Sequence, residues 1–286
     1  MSRPFEGFLG VFDSGVGGLT VVEAVLRRFP NERVLYVADQ AHVPYGGRPL
    51  DEVRGFATGI STFLAEQGCR AIVMACNISS AVALPSVEKE LAPIPVLGMI
   101  GPAALRAAAV DSELQPDAES PIIGVLATEG TVQSGAYPKA IMACNPSATV
   151  AQVPCPRFVP LVESGETETA EALDAAREYL TFPARLRCRT IVLGCTHYPY
   201  LMPALQRAAC DLFDAPVTFV DPAFEVAAAL PPRPEGEPFS RPSLLLTTGS
   251  ADNFRQQAPR FLPNAEFDTA AAVWKDERLV ICDGDS

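Results

Sequence analysis

The chain has 286 residues, and 48% of them are hydrophobic, which is enough to bury a full core in one large domain or two medium ones. Its net charge is −12 at pH 7, and no run of Lys and Arg could follow a phosphate backbone, which argues against nucleic acid as a ligand. No stretch reaches the roughly 18 consecutive apolar residues of a membrane span, and the first ten residues do not resemble a signal peptide. These features predict a cytoplasmic protein that does not bind a membrane.

Short apolar segments rich in Val, Ile and Leu alternate with helical patterns along the chain. Continuous apolar strands separated by helices are typical of parallel sheets that are covered on both faces, so the predicted fold class is α/β. Polar stretches that contain Pro predict loops or domain connections at residues 111–121 and 231–242. The predicted strands are 8–12, 33–37, 71–75, 96–100, 122–127, 190–194, 218–220 and 244–247.

An internal repeat divides the sequence into two related halves. The segment GVFDSG starts at Gly10 and the segment GVLATEG starts at Gly124, and each opens a strand–loop–helix pattern. Each is followed by an apolar strand that ends in a cysteine, Cys76 in the first half and Cys195 in the second. Open α/β sheets bind ligands at the carboxyl ends of their strands. The repeat therefore predicts two pseudo-symmetric domains with a parallel sheet in each, and an active site in the cleft between them.

The two cysteines stand in contexts that favour acid–base chemistry, although a single buried cysteine is more often a packing residue. Helical patterns follow both, with Pro199 suited to the first helical position after Cys195, and a helix N-terminus favours the thiolate. Asp13 ends a strand in the first half, and His197 lies two residues after Cys195. Racemisation removes an α-proton from one face of a carbon and returns one to the other face. Two thiols, Cys76 and Cys195, can supply that chemistry.

The sequence gives less support to a function that depends on a cofactor. The turn DSGVGGL after the first strand has a rival interpretation as a phosphate-binding loop, but it lacks the P-loop Lys and does not match GxGxxG. None of the three lysines, Lys89, Lys139 and Lys275, resembles a pyridoxal phosphate Schiff base. Two histidines and no CxxC pair make a metal site hard to assemble. We predict no cofactor, no metal, and eight cysteines that remain free thiols.

Six segments spread along the chain resemble the glutamate racemase family, within the wider aspartate/glutamate racemase superfamily. The resemblance implies a cofactor-independent isomerase that interconverts L- and D-glutamate and supplies D-glutamate for peptidoglycan synthesis, and so for cell wall biogenesis and cell shape. It also implies two similar α/β domains, the first of residues 1–99 with 217–286 and the second of residues 100–216. A homodimer is common in the family. The matching segments, in order, are GVFDSGVGGLTV, YVADQAHVPYGGR, ACNISSAVAL, GVLATEGTVQSGA, VPLVESG and VLGCTHYPYL.

The resemblance also implies roles for individual residues. Cys76 and Cys195 correspond to the proton-transfer cysteines, Asp13 and His197 to their assisting groups, and Glu163 to the glutamate that orients the histidine. The implied substrate contacts are Asp13, Ser14, Asn77, Ser79, Thr196 and His197, with Pro44, Tyr45 and Gly46 receiving the side-chain carboxylate.

The chain departs from the family pattern at two positions. Ile78 stands where the family usually has Thr, so a hydroxyl that would contact the substrate carboxylate is missing unless Ser79 or Ser80 replaces it. Pro49 stands where Ser is common. Two alternatives stay open on this ground: a racemase of aspartate or another amino acid, and a non-catalytic binding protein of the same fold. A single-cysteine decarboxylase is disfavoured because both Cys76 and Cys195 are present.

Overall fold

The computed structural model describes residues 3–116, 119–233, 239 and 241–282. The chain divides into two compact units, one formed by Met1–Met99 with Val226–Ser286 and the other by Ile100–Glu225. Within the described residues, no helix has both the length and the apolar character needed to cross a membrane.

Parallel strands form the centre of each unit, and most of their residues are buried. The strands of the described residues are β1 (Leu9–Asp13), β2 (Val34–Ala38), β3 (Ala71–Met74), β4 (Val96–Gly98), β5 (Ile122–Ala127), β6 (Thr149–Pro154), β7 (Thr190–Gly194), β8 (Thr218–Val220), β9 (Ser243–Thr247), β10 (Phe267–Lys275) and β11 (Arg278–Ile281).

Helices connect the strands, and their apolar stripes pack on the sheets. In α2, for example, the buried residues Val53, Ala57, Ile60 and Leu64 recur at helical spacing on one face. Short 3₁₀ helices cover Tyr45–Gly47 and Tyr198–Leu201. The α-helices of the described residues are α1 (Leu19–Arg28), α2 (Leu50–Glu66), α3 (Asn77–Leu91), α4 (Ile100–Leu114), α5 (Glu129–Ser134), α6 (Ala136–Cys144), α7 (Phe158–Ser164), α8 (Ala170–Arg185), α9 (Met202–Leu212), α10 (Pro222–Ala229) and α11 (Ala251–Phe261).

The first unit contains a seven-stranded sheet in the order β11-β10-β9-β2-β1-β3-β4. All neighbouring pairs are parallel except β10 and β11, which are antiparallel. In the register of β1 and β3, Phe12 lies opposite Met74. Asp13 is therefore the last residue of β1, and Cys76 stands two residues after the end of the neighbouring strand β3.

The second unit contains a four-stranded parallel sheet in the order β6-β5-β7-β8. Ala127 of β5 lies opposite Gly194 of β7 and opposite Pro154 of β6. Two cysteines, Cys155 and Cys195, thus stand immediately after the carboxyl ends of strands that both pair with β5.

The repeat extends to a second cysteine in each unit. CRAIVMAC runs from Cys69 through β3 to Cys76, and CRTIVLGC runs from Cys188 through β7 to Cys195. Each strand therefore has one buried thiol at its amino end and another at its carboxyl end. These pairs supply matched controls, because the two thiols of a pair differ chiefly in which end of the strand they occupy.

The predicted α/β class is confirmed, but several element predictions were wrong in detail. Strands β6, β10 and β11 were not predicted, and β11 adds an antiparallel pair to a sheet that was expected to be parallel throughout. Helix α4 continues to Leu114, whereas a loop was predicted from residue 111, because the polar Asp111 is buried inside that helix. The predicted loops at residues 111–121 and 231–242 also include residues 117–118, 234–238 and 240, which lie outside the described residues.

Candidate active site

Asp13 organises a tight turn at the carboxyl end of β1. Its side chain is buried, and Oδ2 accepts hydrogen bonds from the backbone N–H of Gly15 at 3.3 Å and of Gly18 at 2.9 Å. A Cβ atom on Gly18 would lie 2.5 Å from Cβ of Asp13 and 2.7 Å from the Tyr36 hydroxyl, so only glycine fits there. Ser14 is buried in the same turn. The glycines of this turn therefore let the backbone close around the Asp13 carboxyl group.

Cys76 occupies the N-cap position of α3, in an extended backbone conformation. The helix begins at Asn77, directly after the cysteine. Cys76 is 6% exposed, and Asn77 is also buried. The first turn of α3 thus brings its positive dipole end to the thiol, an environment that favours a thiolate.

Tyr45 belongs to the loop that the resemblance assigns to the substrate side chain. Its hydroxyl donates to Oδ2 of Asp39 at 2.6 Å, and its ring packs with Cys76 and Ile78. Burial first, and then the nearby Asp39, raise the pKa of the Tyr45 phenol well above its ordinary value. The hydroxyl is therefore a donor at neutral pH, and Asp39 fixes its direction.

Asp39 is a fully buried carboxyl group with four side-chain partners, and it was not among the predicted site residues. Oδ2 bonds to Tyr45 and, at 2.8 Å, to Nδ1 of His42, whose ring stacks on a phenylalanine. Oδ1 accepts from the Thr248 hydroxyl at 2.8 Å and from Nε1 of Trp274 at 2.9 Å. Asp39 therefore connects the Tyr45 loop to the C-terminal part of the chain, which returns to the first unit.

In the Asp39→Leu variant, we expect the free energy of unfolding to fall by roughly 3 kcal/mol or more. The reason is that the donors that share the Asp39 carboxyl group would lose their acceptor. Urea unfolding followed by circular dichroism measures this change. Asp268→Leu, at an exposed position on β10, is the matched control and should change the free energy of unfolding by less than about 0.5 kcal/mol. Equal stability of the two variants would contradict the anchoring role of Asp39.

The three residues after Asn77 have different environments. Ile78 is buried and packs with Tyr45, Val53 and Cys76. The Ser80 hydroxyl lies 2.8 Å from the carbonyl oxygen of Met74 and accepts from a backbone N–H, so it is used by the local backbone. Ser79 is fully buried, and its hydroxyl has no hydrogen-bond partner among the described residues. Of the two serines considered as replacements for the missing Thr hydroxyl, Ser79 is thus the one that the backbone does not engage.

Cys195, His197 and Glu163 form a connected chain of side chains in the second unit. Sγ of Cys195 lies 3.8 Å from Nδ1 of His197, and Nε2 of His197 lies 2.7 Å from Oε1 of Glu163. Cys195 is 9% exposed and His197 is buried, whereas the Glu163 side chain is 34% exposed. Thr196, between the cysteine and the histidine, is buried as well.

This geometry fixes the direction in which a proton can move. In a neutral His197, the hydrogen bond to Glu163 places the ring proton on Nε2, since a carboxylate only accepts. Nδ1 is then an acceptor that faces Sγ of Cys195. The imidazole can therefore take the thiol proton and return it, with Glu163 holding the ring in orientation.

Cys155 places another thiol in the same half of the site. Its Sγ donates to the carbonyl oxygen of Val153 at 3.3 Å, and its own carbonyl oxygen accepts from the Tyr198 hydroxyl at 3.2 Å. Burial raises the pKa of the Cys155 thiol well above its ordinary value, and the nearby Cys195 adds to this. Cys155 therefore stays protonated at neutral pH and contributes structure rather than a thiolate.

All eight cysteines are free, as predicted. Burial raises the pKa of Cys69 and of Cys188 to about 12, so these thiols at the amino ends of β3 and β7 also stay protonated at neutral pH. In the part of the chain that the structure describes, no group of three or more His, Cys, Asp or Glu side chains could hold a metal ion.

The fold and the residues at its strand ends define a class: an α/β isomerase in which each sheet carries a thiol near the carboxyl end of a strand, and in which the Cys195 thiol has an imidazole 3.8 Å away. Residues 17–230 match the family described as Asp/Glu/Hydantoin racemase. The chain belongs to this family and, within it, to the glutamate racemases. The family resemblance inferred from the sequence motifs is thereby confirmed.

Individual relatives support this placement over most of the chain. It is 48% identical to the glutamate racemase of Gloeobacter violaceus over 228 residues, which cover 78% of this chain and 81% of that one. It is 40% identical to the glutamate racemase of Desulforudis audaxviator over 269 residues, which cover 90% and 94%. The crystal structure of the Francisella tularensis glutamate racemase with D-glutamate matches with a TM-score of 0.79 and 28% identity, covering 94% and 98% of the two chains.

Proposed function

We propose that this protein interconverts L- and D-glutamate by proton transfer without a cofactor, and so supplies D-glutamate for peptidoglycan synthesis. Its glutamate racemase relatives support the reaction and the substrate. The observation that carries the proposal is the chain of contacts from Cys195 through His197 to Glu163 at the carboxyl end of β7.

The proposed chemistry uses two bases. The thiolate of one cysteine, Cys76 or Cys195, takes the α-proton from one face of glutamate and becomes a thiol. The other cysteine gives its proton to the opposite face of the resulting carbanion and becomes a thiolate. Exchange with solvent then resets the two protonation states. Asp13 assists proton transfer at Cys76. His197, which Glu163 orients, assists proton transfer at Cys195.

The substrate contacts follow the same proposal. Ser14, Asn77 and Thr196 hold the amino and α-carboxylate groups, and Ser79 supplies the hydroxyl that Ile78 lacks. The side-chain carboxylate lies against Pro44, Tyr45 and Gly46, where backbone N–H groups compensate its charge. The two-base chemistry requires one thiol on each face of the substrate's α-carbon. The homodimer and the cytoplasmic location expected from the sequence are part of the proposal.

The test is incubation of the purified protein with L-glutamate, D-glutamate or L-aspartate in heavy water. Circular dichroism follows the ratio of the two enantiomers, and mass spectrometry follows deuterium at the α-carbon. We expect both glutamate enantiomers to racemise, with one deuterium in each product molecule, and aspartate to stay unchanged. Racemisation of aspartate alone would shift the proposal to another substrate, and absence of exchange with all three would reject catalysis.

A further inference from the structure

Each half of the proposed site contains a buried tyrosine whose hydroxyl bonds to a backbone carbonyl near the assisting group. In the first unit, the Tyr36 hydroxyl on β2 donates to the carbonyl oxygen of Gly15 at 2.6 Å. In the second unit, the Tyr198 hydroxyl donates to the carbonyl oxygen of Cys155 at 3.2 Å. Both side chains are 0% exposed. A hydrogen bond from a buried tyrosine to a backbone carbonyl therefore occurs near each of the two assisting groups.

The Tyr36 contact holds the turn that surrounds Asp13. Gly15 is fixed from two directions, because its N–H donates to Oδ2 of Asp13 and its carbonyl oxygen accepts from Tyr36. The turn also packs closely on Tyr36, because a Cβ atom on Gly18 would lie 2.7 Å from the Tyr36 hydroxyl. Loss of the hydroxyl would release one end of the turn and let the Asp13 carboxyl group move with it.

The Tyr198 contact connects the two segments that carry His197 and Glu163. Tyr198 follows His197 directly, and its N–H donates to the carbonyl oxygen of Cys195 at 3.1 Å. Its ring packs edge-on against Phe158 at 5.0 Å between ring centroids, and Phe158 is the first residue of α7, the helix of Glu163. The hydroxyl and the ring thus fix the distance between the histidine turn and the helix that orients it.

We propose that Tyr36 and Tyr198 are positioning residues, one for each half of the racemisation. Tyr36 holds the Asp13 turn in place for proton transfer at Cys76. Tyr198 holds His197 and Glu163 at hydrogen-bonding distance for proton transfer at Cys195. This inference rests on the proposed two-cysteine function. A buried tyrosine that only satisfies its hydroxyl would affect both halves alike through stability. A positioning residue instead affects the proton transfer on its own side.

The isotope effect separates these roles. At an equilibrium constant of one, kcat/KM must be equal for the two enantiomers in every variant, so rates alone cannot locate a defect. A variant that slows proton transfer at one thiol makes that step limit the rate in both directions. The deuterium isotope effect then rises for the enantiomer whose α-proton that thiol removes, and it falls toward one for the other enantiomer.

The experiment measures the isotope effect on kcat/KM with α-deuterated L- and D-glutamate for the wild type, Tyr36→Phe and Tyr198→Phe. Each variant keeps the ring and loses only the hydroxyl, and thermal unfolding checks that the fold is retained. We expect kcat/KM to fall about tenfold in each variant. The isotope effects should shift in opposite directions: the enantiomer whose effect rises in Tyr198→Phe should be the one whose effect falls in Tyr36→Phe.

Isotope effects equal to the wild type in either variant, or shifted the same way in both, would overturn the positioning roles. Failure of the wild type to racemise glutamate would overturn the proposed function itself, and the wild-type measurement reports that separately.

Discussion

Replacing Cys76 or Cys195 with alanine is expected to lower kcat for glutamate racemisation about 10³- to 10⁴-fold in both directions. The reason is that a positioned acid–base group contributes roughly 10²–10⁴ to a rate, and in a two-base reaction neither proton transfer can be bypassed. Polarimetry with each enantiomer as the starting substrate measures the loss.

The matched controls are Cys69→Ala and Cys188→Ala, at the amino ends of the same two strands. Burial raises the pKa of both thiols to about 12, so they stay protonated at neutral pH, and their removal should leave kcat within about twofold of the wild type. Full activity in Cys76→Ala or Cys195→Ala would reject the two-base mechanism. Equal losses in all four variants would mean that the effect comes from packing.

The second large effect is expected at His197. His197→Asn removes the ring nitrogen that lies 3.8 Å from Sγ of Cys195, and kcat should fall about 100-fold. Glu163→Gln keeps the side-chain shape but offers the histidine an amide in place of a carboxylate, so a smaller loss of about tenfold is expected. Steady-state kinetics of both variants, in both directions, test this order.

Glu166→Gln is the control for Glu163, because Glu166 is exposed just beyond the end of α7. Its kcat should match the wild type. A larger loss in Glu163→Gln than in His197→Asn would contradict the proposed order of contacts, since the carboxylate acts only through the imidazole.

The central strands and the repeat could be predicted because buried parallel strands have a continuous apolar pattern. The predicted strands 122–127 and 190–194 coincide with β5 and β7. Of the missed strands, β6 and β11 are the edge strands of their sheets, and β10 is the strand next to the β11 edge. β6 and β10 are mostly half-buried, and β10 contains a run of three alanines, so neither shows the apolar density of a central strand.

The part of the site that could not be predicted depends on contacts between distant segments. Asp39 stands directly after β2, and that position was the one signal that could have singled it out. Its partners Thr248 and Trp274 lie 209 and 235 residues further along the chain, so no local pattern connects them. The tyrosine contacts are similar: Tyr198 bonds to a carbonyl 43 residues earlier, and a buried Tyr has the same appearance in a sequence whatever its hydroxyl binds.

The N-cap position of α3 has a consequence for the evolution of this protein. Ser, Thr, Asp and Asn are the preferred N-cap residues, because their side-chain oxygen accepts a hydrogen bond from the first turn; here the N-cap residue is Cys76, whose side chain makes no capping hydrogen bond. In Cys76→Ser, the hydroxyl would offer the first turn a good hydrogen-bond acceptor. The free energy of unfolding would rise by roughly 1 kcal/mol. The most stable helix start and the proposed proton transfer therefore require different amino acids at this single position.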